Sequence, residues 1–84
     1  MRDEIQDQQV ALIQNEIDLG FTFLETAKLA GSKEHREQAL QNAQNAHTTA
    51  ERFIGRLSAK QVNPSWPSRL FELQAAIDFL STQV

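Results

Sequence analysis

An almost unbroken run of helix-compatible sequence constrains this chain more than any other feature. Its three glycines and two prolines are too few to punctuate a β-rich fold, and Gly31, Pro64 and Pro67 stand where one helix would end and the next begin. From Asp3 to Ala30 the apolar positions Val10, Ile13, Ile17, Gly20, Leu24 and Ala27 alternate spacings of three and four. Leu12, Leu19, Phe23 and Ala30 form a second line beside them. On a wheel of about 100° per residue these side chains cover an arc of roughly 200°. Packing against one helix needs about half of that, so the pattern implies two neighbours for the first helix.

The remaining punctuation supplies those neighbours. Asp3 followed by Gln6 reads as an N-cap with its reciprocal partner three residues on. Gly31-Ser32 reads as a left-handed C-cap followed at once by a new N-cap, which makes a tight helical hairpin. The second helix carries Ala39, Ala43, Ala46, Ala50, Phe53 and Leu57, with Leu40, His47 and Ile54 flanking at intervals of seven. Its alanines imply close approach of two helices, with Gly20 helping from the opposing side. Asn63-Pro64 stops this helix, and Pro64 to Pro67 opens a third, because proline is tolerated in a first turn. The third stripe is Trp66, Leu70, Leu73, Ile77, Leu80 and Val84. The expected fold is all-α: a three-helix antiparallel bundle with helices at about 3–30, 33–61 and 65–83, in one domain spanning 1–84.

A chain of 84 residues buries only roughly 60–65% of its unfolded surface, so its core is thin and a second chain can contribute to stability. There is no cysteine, which removes disulfides, thiol nucleophiles and cysteine-bound metals from consideration. No apolar run reaches the length of a membrane span, and Met1-Arg2-Asp3-Glu4 is unlike a signal peptide. The expected setting is cytoplasmic, with no membrane partner. A net charge of −3 argues against nucleic acid as a partner.

Charge is unevenly spread. Asp3, Glu4, Asp7, Glu16, Asp18 and Glu25 precede Lys28, whereas Arg52, Arg56, Lys60 and Arg69 follow one another with no acid between. Arg52, Arg56 and Lys60 stand at i, i+4 and i+8, one basic line at the end of the second helix. That line suits an anion or an acidic partner. It equally complements the helix dipole and the acids Asp3, Glu4 and Asp7 across the hairpin, and this second reading is preferred.

The catalytic inventory is sparse. His35 and His47 are twelve residues apart, about 18 Å along one helix, so they share no metal ion. Glu16, Glu25, Glu34 and Glu37 have no sign of burial that would tune a carboxyl for acid–base work. Thr48, Thr49, Ser58 and Ser65 lack a histidine–carboxylate pair, and no glycine-rich phosphate loop exists. Neither enzymatic activity nor a cofactor or metal is expected. Phe71, Ala75 and Phe79, also at i, i+4 and i+8, are displaced from the main stripe of the third helix. They form a candidate contact surface for a partner helix or a second copy, with Phe21 at the margin of the first helix's arc as a contributor. Thin core and spare aromatics together point to a two-fold homodimer.

Three resemblances accompany this reading. Leu19-Gly20-x-x-Phe23, followed by an alanine-rich partner helix, is similar to the first helix of a tetratricopeptide repeat, where the small residue lets paired helices approach. The chain also resembles small bacterial helical-bundle proteins of unknown function. Ala46-His47-Thr48-Thr49-Ala50, ending in Ile54-Gly55, resembles the active helix of histidine phosphotransfer domains. That last resemblance implies a phosphoacceptor at His47, exposed on its helix, as the alternative to a non-catalytic interaction module.

Overall fold

The computed structural model describes residues 2–82, with side chains from position 8 onward. Three helices, α1 (Arg2–Leu29), α2 (Lys33–Ile54) and α3 (Ser65–Ser81), pack up-down-up as a three-helix bundle, and no strand occurs among the described residues. The expected caps at Asp3 and Gln6, the acids Glu4 and Asp7, and Val84 lie outside the residues whose side chains are described.

The hairpin between α1 and α2 turns where the sequence places it, by a different backbone. Ser32 is the N-cap of α2: its backbone is extended (φ −138°, ψ 157°) and its hydroxyl accepts a hydrogen bond from the His35 amide at 3.2 Å. Gly31 does not take the left-handed conformation, since no described residue has positive φ. The last turn of α1 instead tightens, with the Ala30 amide bonding to the Ala27 carbonyl. Ser32 therefore carries the turn. Replacing Ser32 by Ala is expected to cost about 1 kcal/mol, lowering the melting temperature by roughly 4–8 °C in a thermal unfolding scan.

Helix α2 ends at Ile54, short of the expected 61. Gly55, with low helix propensity, follows in an αR conformation, and Arg56 and Leu57 close onto the Phe53 and Ile54 carbonyls in tight turns. Ser58 then goes extended and leads into a short 3-10 turn, Ala59–Gln61, with Gln61 bonding back to Ser58. Leu57 and Val62 still fold against the core, and Leu57, four residues after Phe53, continues the helical stripe past the helix itself. The Asn63 carboxamide oxygen accepts from both the amide and the hydroxyl of Ser65, and Pro64 is the N-cap of α3 while Pro67 lies in its first turn.

Ile13, Ile17, Leu24 and Ala27 of α1 meet Ala39, Leu40, Ala43 and Ala50 of α2 and Trp66, Leu70, Leu73 and Ile77 of α3 in a single core. Most of the inter-helix contact is between α1 and α2, as the alanine stripe implies; Ala43 and Ala46 are both buried. Gly20 serves a different partner than expected. A Cβ built on it would sit 2.6 Å from Leu73 Cδ2, so its missing side chain admits α3 rather than the alanines of α2. The radius of gyration is 14.1 Å, against about 12 Å for a compact chain of this length, and the longest extent is 47 Å. The bundle is slender, and its helices have much surface to cover with few neighbours.

Candidate functional site

Helix α3 joins α1 along a specific flank. The Trp66 indole N–H donates to Gln14 Oε1 at 3.1 Å, Arg69 bonds Asp18 at 2.9 Å, and the Arg69 guanidinium lies 5.3 Å from the centre of the Phe21 ring. Phe21, expected as part of a contact surface, is thereby half-buried beneath Arg69 inside the chain. The wide apolar arc of α1 is covered on this flank only. Leu12 and Leu19, the second line of the sequence pattern, remain 36% and 42% exposed. Periodicity gives the width of such an arc; it does not say on which side the third helix will lie.

The seam between α2 and α3 is more polar. Gln44 and Gln74 exchange a reciprocal pair of amide hydrogen bonds at 2.9 Å, and Gln74 donates also to Asp78. His47 is buried at the same seam, 6% exposed, with Nε2–H donating to the Leu70 carbonyl at 3.1 Å. Its Nδ1 lies 3.0 Å from Glu51 Oε1, within ion-pair distance but not directed as a hydrogen bond, so that nitrogen is buried without a hydrogen-bond partner. The phosphotransfer resemblance implies an exposed histidine. Here α3 covers the ring and its backbone occupies Nε2.

The outward side of α3 carries the expected aromatics. Phe71 is 76% exposed, Phe79 62%, and Ala75 between them is exposed as well, so neither ring covers an edge of the core. Helical geometry puts the three on the side opposite Leu70, Leu73 and Ile77. The charged side chains of α3 beside them, Glu72 and Asp78, are both acidic and exposed, and the helix's one cation, Arg69, is turned to α1. At one end Phe71 forms a wall of a groove between α2 and α3, of about 540 Å³, with His47, Glu51, Ile54, Pro67 and Leu70. The result is an aromatic ridge with an acidic border and an adjoining apolar groove.

The basic line is not a line. Because α2 stops at Ile54, Arg52 alone is helical; Arg56 lies in the turn with its guanidinium 5.1 Å from the Phe53 ring centre, and Lys60 belongs to the 3-10 turn. None of the three forms an ion pair among the described residues, and the acids Asp3, Glu4 and Asp7 lie outside the described side chains. No group of three or more histidine or carboxylate side chains that could hold a metal ion is present among the described residues. No described helix is long and apolar enough to cross a membrane. Comparison with protein-family models, with curated proteins and with solved structures yields no match to this chain.

Proposed function

We propose that this chain is a non-catalytic protein-interaction module that docks a partner along Phe71, Ala75 and Phe79 of α3. The observation that carries the reading is the exposure of two phenylalanines, two turns apart, on the outward side of one helix. Solvent gains nothing from such a ridge, whereas a partner that covers it recovers about 1.5–3 kcal/mol for each ring. The small Ala75 between the rings lets a second backbone come close.

Charge selects the partner's chemistry. Glu72 and Asp78 border the ridge, and Glu51 stands at the rim of the adjoining groove. The fitting occupant is an amphipathic helix with apolar side chains flanked by Lys or Arg. Pairing the ridge with its own copy would gather Glu72 and Asp78 twice over with no cation of α3 to offset them. The same acidic border disfavours nucleic acid. The lack of cysteine suits a reducing, cytoplasmic setting for such a module.

The test is titration of the isotope-labelled chain with a designed amphipathic helix of leucine and lysine, and with its leucine–glutamate counterpart. The lysine peptide is expected to shift amide resonances between positions 67 and 82. Changing Phe71 and Phe79 together to Glu is expected to weaken binding at least tenfold while leaving circular dichroism unchanged. Equal binding of both peptides, or no effect of the double change, rules the ridge out as the contact surface.

A further inference from the structure

We infer that a second copy of the chain docks on the side of the α1–α2 hairpin opposite α3, burying Leu12 and Leu19 in a two-fold dimer. This surface is distinct from the α3 ridge. Gln14, Asp18 and Phe21 mark where α3 meets α1; at 100° per residue, Leu12, Leu19 and Phe23 lie about 150° away around the same helix. On α2, Leu40, Gln44 and His47 face α3, and Asn42, Thr49 and Phe53 lie on the other side by the same geometry. The hairpin is thus a two-helix layer covered on one side. Its free side has exposed Leu12 and Leu19 as well as the half-buried rings of Phe23 and Phe53.

Two features favour a second copy over another occupant. The first is charge. Between Gln8 and Phe53 the polar positions of this side are chiefly amides and threonines, among them Asn15, Asn42 and Thr49. Glu16 is its one anion among the described side chains of α1, and Arg56, stacked on Phe53, stands at the end where α2 stops. A surface with so little net charge meets its own copy without the repulsion that the α3 ridge would suffer, and depletion of charge is characteristic of the centre of a protein interface.

The second feature is area. Over the 22 residues of α2 the hairpin is about 33 Å long, and two adjacent helices are about 20 Å wide. The projected surface is about 650 Å² per copy, close to the ~800 Å² that each partner contributes to a stable interface of standard size. The 17 residues of α3 present one helix, about 25 Å by 10 Å, well under half of that. Face-to-face pairing of two hairpins would form a four-helix layer pair, with each α3 on an outer surface and its phenylalanine ridge still open.

Sedimentation of the full chain over micromolar to millimolar concentrations tests the proposal. The expected mass is twice the 9.5 kDa of one chain. Changing Leu12 and Leu19 together to Glu is expected to return the mass to that of one chain with helical content intact, and changing Phe71 and Phe79 to Glu is expected to leave the dimer in place. Isotope-filtered NOEs between a labelled and an unlabelled copy, from the Leu12 and Leu19 methyl groups, give a readout on the unaltered chain. The proposal falls if the wild-type chain stays at single mass throughout. It falls equally if the dimer survives the leucine changes and dissolves with the phenylalanine changes, which would move the self-contact to α3.

Discussion

Replacing Trp66 by Ala is expected to destabilise the chain by about 3–5 kcal/mol, the largest effect of any single substitution in the bundle. Trp66 is 1% exposed, stands in the first turn of α3 and belongs to the core cluster in which all three helices meet. Its indole N–H also holds Gln14 of α1 across that junction. Truncation removes the buried ring and leaves the Gln14 carboxamide without its donor. A slender domain of this size has little margin, since ordinary domains unfold with only about 5–15 kcal/mol and short chains lie low in that range. At roughly 4–8 °C per kcal/mol, the melting temperature should fall by about 12 °C or more. Thermal unfolding followed by circular dichroism measures it. Phe in place of Trp66 separates the two contributions: it keeps most of the ring and loses the hydrogen bond, for an expected cost nearer 1 kcal/mol. A loss below about 1 kcal/mol for the Ala variant would mean that α3 is not anchored at this end.

Leu73→Ala is expected to cost about 2–5 kcal/mol, and the cost should shrink when Gly20→Ala is added. Leu73 is fully buried, and its Cδ2 occupies the space that a Cβ on Gly20 would need. Taken alone, Gly20→Ala sets two effects against each other. Alanine is favoured over glycine in a helix by about 1 kcal/mol, while overpacking against a fixed neighbour costs about 1–3 kcal/mol. The net expected change is a loss of about 1 kcal/mol. In the double variant the new methyl group enters the void left by Leu73, so the conflict disappears and the propensity gain remains. A double-mutant cycle should therefore show coupling of about 1–2 kcal/mol in the favourable direction. Strict additivity would mean that α3 does not approach α1 at Gly20.

The bundle was legible in the sequence because its main signals are local or periodic. Ser32 is a cap by residue type and position, Pro64 and Pro67 suit the start of a helix and not its interior, and alanines at spacings of four and three announce a close pair of helices. Whatever depends on the relation between helices was not legible. Gly20 could have opened toward either neighbour, and the choice of α3 follows from which flank of the hairpin it lies on. The same choice buries His47 and leaves Leu12 and Leu19 uncovered, though all three sit at plausible core margins in one dimension. The end of α2 was missed for a related reason: Leu57 keeps the spacing of the helical stripe, four residues after Phe53, while reaching the core through a turn. Phe71 and Phe79 were visible as aromatics off their stripe. The border of Glu72 and Asp78 acquired meaning only once Arg69 was found turned toward α1.

The paired amides of Gln44 and Gln74, together with the bond from His47 to the Leu70 carbonyl, act as an index mark between α2 and α3. Apolar side chains tolerate sliding, since one buried aliphatic contact can replace another at similar energy. Directed bonds do not: a slip of one helical turn, about 5.4 Å, would part both glutamines and leave a buried imidazole facing the wrong carbonyl. The two phenylalanines therefore stand at one fixed height relative to Glu51. A partner reading that ridge meets a ruled scale, in which the distance from aromatic ring to carboxylate is set by the inner seam of the bundle and not by the surface that displays it.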